Sequence, residues 1–177
     1  MSSTLLRMAE YRNRSKFNES GPYYTSYPTL GLWSNEYDNR TYLKSLEELF
    51  REYGEDVPLA LYVHIPFCAK LCWYCICNIK ISNNRERIQE FTDYLTREVQ
   101  NLAECFKKLS VQPNFQDIHL GGGTPSHLDN LQFAQFMDKL SEFIDFSSLE
   151  ELSMEIDPRT TNQDDLHYYA DRGVSRI

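Results

Sequence analysis

Cys68, Cys72, Cys75 and Cys77 place four thiols within ten residues, in the stretch FCAKLCWYCICN. Three chemistries use thiols at that density. A disulfide framework spreads its cysteines along the chain and suits oxidising compartments, and a total of five cysteines is an odd count for it. A structural zinc ion takes four thiolates or imidazoles in a tetrahedron, usually from two separated pairs, and Cys75-x-Cys77 is cramped for two ligands of one ion. An iron–sulfur cluster draws several thiolates from one compact loop, but the spacing here is C-x₃-C-x₂-C then x-C, not the ferredoxin C-x₂-C-x₂-C. Other residues have chemical potential of their own. Gly121-Gly122-Gly123-Thr124-Pro125 either brings backbone close to a ligand or makes a plain turn. Glu155 is a carboxylate near the end of an apolar run, and Asp157 before Pro158 reads as the start of a turn. His64, His119, His127 and His167 are possible haem ligands whose first reading is structural, and Cys105 reads as a small buried hydrophobe.

These residues need a frame. Residues 1 to about 37 are polar and Tyr-rich, with turns marked by Gly21-Pro22 and Tyr27-Pro28, and read as an irregular arm. Asp38 to Tyr53 carries apolar residues at helical spacing and stops at Gly54. LALYVHI (59–65) is a short β-rich run that reads as a buried strand and leads straight into the cysteines. An amphipathic helix is expected over Arg85–Lys108, a second strand over 115–120 ending at the three glycines, and a helix over Asn130–Phe146. A third strand (149–156), a helix from Asn162 to Arg172 stopped by Gly173, and the start of a fourth strand at 174–177 follow. Alternation of strand and helix predicts an α/β fold with parallel strands. The last strand has no successor to cover its edge, so the chain reads as the N-terminal piece of a longer protein.

Composition narrows the classes. The net charge of −8 disfavours a nucleic acid or an anionic membrane surface as partner. An aromatic content of 14% excludes a disordered composition. No apolar run approaches the roughly 18 residues of a membrane span, and the N-terminus lacks the long apolar core of a signal peptide. A cytoplasmic protein is expected.

A C-x₃-C-x₂-C loop directly after the first strand of a βα series resembles the radical SAM superfamily. The resemblance implies the N-terminal part of a partial (β/α)₆ barrel, preceded by an irregular arm and a helix. Residues 1–57 would be the arm and helix, and 58–177 an incomplete radical SAM domain lacking later strands and a C-terminal domain. It further implies that Cys68, Cys72 and Cys75 hold three irons of a [4Fe–4S] cluster. The fourth iron is left for S-adenosylmethionine, whose reductive cleavage yields a 5′-deoxyadenosyl radical. Gly122, Gly123 and Thr124 match the glycine segment that holds the methionine end of that cofactor. Glu155 and Tyr62 match cofactor-binding residues.

Within the superfamily, four stretches are similar to the oxygen-independent coproporphyrinogen III oxidase family: GPYYTSYPT (21–29), LYVHIPFCAKLCWYCICN (61–78), HLGGGTPSHL (119–128) and SMEIDPRTT (153–161). Oxidative decarboxylation of two propionates of coproporphyrinogen III to vinyls is then implied, in haem biosynthesis. So is a second S-adenosylmethionine near Tyr74, Gly123 and Thr124. Cys77 is implied to matter for activity without ligating the cluster. The haem-chaperone and haem-degrading branches typically lack that fourth cysteine. Two positions depart from the family pattern: Ile76 stands where Gly is usual, and Tyr23 where Arg is common. An electron donor of the flavodoxin or ferredoxin kind and a monomeric state are expected, and the fragment by itself is expected to be inactive. The alternatives are a related protein that acts on another porphyrin or binds haem as a chaperone, a zinc-stabilised interaction module, and different radical chemistry on a non-porphyrin substrate.

Overall fold

The computed structural model describes residues 29–34 and 36–177. Most of the expected arm, with Gly21-Pro22, Tyr23 and Tyr27-Pro28, lies outside them. The chain divides into two compact units, residues 1–41 and 42–177.

In the first unit, Leu30–Leu32 forms one turn of 3₁₀ helix. The Asp38 carboxylate accepts hydrogen bonds from the Thr41 amide and hydroxyl, both at 2.9 Å. Asp38 thereby satisfies a donor that helix α1 (Asn39–Tyr53) would otherwise leave unpaired at its start.

The second unit is built on three parallel strands in the order β1 (Pro58–Ile65), β4 (Asn114–Gly122), β5 (Glu151–Met154). A bridge from Ser153 to Arg176, again parallel, begins a fourth. Two residues, Phe67–Cys68 (β2), pair in parallel with Lys80–Ile81 (β3) and frame the cysteine loop. Helix α2 (Arg85–Leu109) joins β3 to β4, α3 (Asn130–Ser141) joins β4 to β5, and α4 (Gln163–Asp171) follows β5.

Alternation along the strands assigns the faces. Val63, Ile65, Ile118, Leu120, Leu152 and Met154 are buried and form the floor of the core. Ile88 and Phe106 of α2 and Phe133, Phe136, Met137 and Leu140 of α3 close over them. Each such side chain contributes about 1.5–3 kcal/mol on burial. The opposite face carries Tyr62, His64, His119, Ser153 and Glu155.

Local chemistry fixes the helix ends. Asn84 caps α2 by accepting from the Arg87 amide, while Asp129 with Gln132 and Asn162 with Asp165 form capping boxes on α3 and α4. Gly173, at φ +93°, lies just past the end of α4 where a left-handed residue is needed. Helix α3 stops at Ser141, five residues before the expected Phe146. Beyond it Phe143, Ile144 and Phe146 turn back to the core, and the Asp145 carboxylate caps a new 3₁₀ turn at the Ser147 amide. Strand β4 runs on through Gly121 and Gly122 instead of ending before them, and β5 is shorter than expected. Among the described residues no helix is long and apolar enough to cross a membrane.

Candidate active site

Tyr62, His64, His119, Gly121–Thr124, Glu155 and the cysteine loop gather at the carboxyl end of the parallel strands, where α/β sheets open to ligands, whereas Cys105 and His167 lie on helices α2 and α4. The cysteine loop is tied at its base. The Lys80 amide donates to Pro66 O at 2.7 Å and the Ser82 amide to Cys68 O at 3.1 Å. Phe67 packs edge-on against Phe91 of α2, centroids 5.3 Å apart, and anchors the start of the loop. Inside it, the Cys75 amide donates to Cys72 O at 3.1 Å and makes a turn. Cys68 is buried, Cys72 and Cys75 are half-buried, and Cys77 is exposed.

Cys68 and Cys77 sense the thiols beside them. Burial pushes the Cys68 thiol above its ordinary range, the Thr124 hydroxyl opposes this by donating to Cys68 Sγ at 3.3 Å, and negative charge on Cys75 and Cys72 adds to the rise. Cys77 is also raised, first by burial and then by Cys75. Sulfurs that repel as thiolates are stabilised together by a cationic centre, and an iron–sulfur cluster is one. Among the described residues, no three His, Cys, Asp or Glu side chains converge on one point as a lone ion requires. Several thiols on one short loop are a donor set that fits an iron–sulfur cluster.

The glycine segment passes beneath the loop base. A Cβ on Gly123 would lie 2.6 Å from Pro66 O and 2.8 Å from Phe67 O. The Gly123 amide donates to Ile65 O at 2.8 Å and the Thr124 amide to Phe67 O at 2.9 Å. Gly122, at φ +113°, leaves room for the His64 ring, 2.8 Å from where its Cβ would be. Its amide donates to Glu155 Oε2 at 3.1 Å. The sequence suggests glycines whose amides face a ligand. Here the amides of residues 122–124 all serve protein acceptors, and the missing side chains bring β4 against the loop.

A polar network covers the open face of the sheet. Asn78 O is a carbonyl, so His64 Nε2 carries the proton it donates there at 2.8 Å. His64 Nδ1 is then free to accept from the Tyr62 hydroxyl at 2.9 Å. Tyr62 stacks on His119 of the paired strand, centroids 5.8 Å apart and planes 16° apart. His119 Nδ1 meets Ser153 Oγ at 2.8 Å, and its Nε2 lies 3.8 Å from Glu155 Oε1. Burial raises the Tyr62 phenol, and negative charge on Glu155 and Cys77 raises it further.

Beyond β5, Asp157 takes Arg159 in a fork. Nε donates to Oδ1 at 2.8 Å and Nη2 to Oδ2 at 2.7 Å, while Nη2 also points at Cys72 Sγ, 3.6 Å away. The arginine holds the Asp157 carboxyl below the usual carboxylate range.

The structure thus brings together Cys68, Cys72, Cys75, Cys77, Tyr62, Gly122, Gly123, Thr124 and Glu155. Tyr74 does not join them and stands 86% exposed in the loop. Arg159 belongs to the site and is missing from the sequence-based set, and His64 and His119, read from the sequence as structural or as haem ligands, hold Tyr62 in place there. The Tyr62-x-His64 alternation on one strand face was the available sign of His64. His119 requires the β1–β4 register, and Arg159 requires a contact between residues 87 apart.

The family model of the radical SAM superfamily matches residues 62–177. The chain is 42% identical over 143 residues to an oxygen-independent coproporphyrinogen III oxidase of Mannheimia haemolytica, covering 81% of this chain and 92% of that relative. It is 36% identical over 162 residues to the protein of the same name from Salmonella typhimurium, covering 92% of this chain and 34% of the relative. Among solved structures it is similar to coproporphyrinogen III oxidase from Escherichia coli, described as a radical SAM enzyme, with TM-score 0.71 and 34% identity. That match covers 87% of this chain and 33% of the other. The chain therefore spans about a third of the length of the Salmonella and E. coli proteins.

Proposed function

Because the chain belongs to the radical SAM superfamily, and within it to the oxygen-independent coproporphyrinogen III oxidase family, we propose that the whole protein converts two propionates of coproporphyrinogen III to vinyls. Each conversion removes one carbon dioxide, one hydrogen atom and one electron and gives, after two rounds, protoporphyrinogen IX. The observation that carries this reading is the gathering of the cysteine loop, Tyr62 and Glu155 at the carboxyl end of one parallel sheet, with Thr124 donating to Cys68 Sγ at 3.3 Å and the Gly122 amide to Glu155 Oε2 at 3.1 Å.

The cofactors are a [4Fe–4S] cluster and S-adenosylmethionine. When bound, they supply an adenosyl radical that takes the propionate hydrogen. In this reading Cys68, Cys72 and Cys75 hold the cluster, with Cys68 steadied by Thr124. Glu155, positioned by the Gly122 amide, offers its second oxygen to a cationic amino or hydroxyl group of S-adenosylmethionine. Tyr62, oriented by His64 and His119, supplies an aromatic wall beside that carboxylate. Gly122, Gly123 and Thr124 shape the floor. Cys77, exposed on the cysteine loop, serves the reaction without ligating iron. Tyr74 reaches a second S-adenosylmethionine only if the loop tip turns inward from its exposed position.

Residues 58–177 form the incomplete catalytic domain in this proposal. The electron donor is a flavodoxin- or ferredoxin-like protein, the protein is a cytoplasmic monomer, and the 177-residue chain alone does not turn over. Anaerobic reconstitution, followed by EPR of the reduced protein with and without S-adenosylmethionine, tests the cofactor assignment. A [4Fe–4S] signal that changes with the cofactor is expected. Zinc and no chromophore would overturn it. Analysis of products from the full-length enzyme with coproporphyrinogen III tests the substrate.

A further inference from the structure

We infer that Arg159 is a positioning residue for the electron-transfer step: its guanidinium, locked by Asp157, donates a hydrogen bond to Cys72 Sγ and so raises the reduction potential of a cluster held on that sulfur. The inference rests on the reading that Cys72 is a cluster ligand.

The geometry assigns the three protons on Nε and Nη2. Nη2 carries two hydrogens, of which one serves Asp157 Oδ2 at 2.7 Å and the other points to Cys72 Sγ at 3.6 Å. Nε serves Asp157 Oδ1 at 2.8 Å. The fork fixes the plane of the guanidinium, and with it the direction of the remaining N–H. A lysine ammonium lacks the planar fork, so pairing with the carboxylate would not fix the direction of its remaining N–H.

Asp157 is itself held in place. Its side chain is only 15% exposed. Its amide donates to Ser126 Oγ at 3.2 Å, its carbonyl accepts from the Thr160 and Thr161 amides, and its Oδ1 also accepts from the Arg159 amide at 3.0 Å. This is more scaffolding than a surface ion pair requires, and its effect is to aim one cation at one cysteine. No other cysteine of the loop receives a guanidinium hydrogen bond among the described residues. Adding an electron makes a cluster more negative. A permanent positive charge and a hydrogen bond at a ligand sulfur stabilise that reduced state more than the oxidised one.

The test is an EPR-monitored potentiometric titration of the full-length, cluster-loaded enzyme, with dithionite as electron donor. Wild type is compared with Arg159→Gln, Arg159→Lys and Asp157→Asn, each with iron and sulfide content measured. Arg159→Gln is expected to raise the oxidised-to-reduced ratio at a given applied potential at least tenfold, a downward shift of about 59 mV for one electron. Arg159→Lys and Asp157→Asn are expected to shift it the same way by less. If Arg159→Gln loads poorly, these two decide. Ratios within threefold of wild type in every loaded variant overturn the inference and leave the family reading standing. Loss of the cluster in all three variants, with the circular dichroism of the fold intact, overturns it too, because the arginine then holds the cluster instead of tuning it. A wild-type protein that takes zinc and no cluster overturns both readings.

Discussion

Replacing Gly123 by alanine adds a single methyl group where three backbone atoms already stand. The new Cβ would lie 2.6 Å from Pro66 O, 2.7 Å from Pro66 C and 2.8 Å from Phe67 O. Carbon and oxygen in favourable contact sit at about 3.3–3.6 Å, so the overlap is more than half an ångström. The obstructing atoms are main chain and cannot swing aside. Relief requires β4 to withdraw from the loop base, which strains or breaks the bonds from Gly123 N to Ile65 O and from Thr124 N to Phe67 O. Each is worth about 1 kcal/mol net, and overpacking costs about 1–3 kcal/mol, so a destabilisation of about 2–4 kcal/mol is expected. Urea unfolding followed by circular dichroism measures it as a lower midpoint at unchanged slope. With a slope of about 2 kcal/mol per molar, the midpoint falls by about 1–2 M. Gly121→Ala is the control, because its nearest neighbours are the His119 and Tyr62 side chains at 3.0 and 3.1 Å, which can move. Its cost is expected to be clearly smaller. A Gly123→Ala protein within about 0.5 kcal/mol of wild type, or one less perturbed than Gly121→Ala, would refute the reasoning.

Other expectations are shorter to state. Arg159 depresses the Asp157 carboxyl in the folded protein, so its contribution to stability is fully present above the ordinary carboxylate range and is lost as pH falls through the depressed folded value. Asp157→Asn should therefore flatten the acid limb of a stability-versus-pH curve below about pH 4 and leave its neutral-pH shape alone. His64→Leu removes the donor to Asn78 O and the acceptor for Tyr62. Loss of a bond worth about 1 kcal/mol should speed amide exchange across the cysteine loop about fivefold, while α2 and α3 exchange as before. Phe133, fully buried against Tyr169 at a ring distance of 5.0 Å, should cost about 3–5 kcal/mol on truncation to alanine, read from thermal or urea unfolding.

The parallel α/β frame was legible because periodicity changes cleanly between its strands and its helices. Where apolar residues continue past a helix end, periodicity misleads: Phe143 and Phe146 look like another turn of α3 but serve the core from a loop. The β2–β3 pair is two residues long on each side, too short to leave a pattern. The cysteine loop stood out by the density of its thiols, and its reading as a cluster site came from the resemblance to a known family. The glycines were visible, but the reason for them was not, since the Pro66 carbonyl that excludes a side chain from Gly123 lies in another strand's continuation. Arg159 was hidden most completely, because only the folded chain brings it to Cys72.

The passage of Gly123 and Thr124 under the loop base has a consequence for biogenesis. During synthesis the four thiols leave the ribosome before the segment that closes their frame, which follows roughly fifty residues later. At about 5–20 residues per second that is a delay of several seconds. Through it, Thr124 is not yet available to Cys68. The nascent thiols are open to oxygen and to stray metals in that interval. Cluster delivery timed after residue 124 has docked would meet a formed cradle, and delivery before it would meet an unstructured tail.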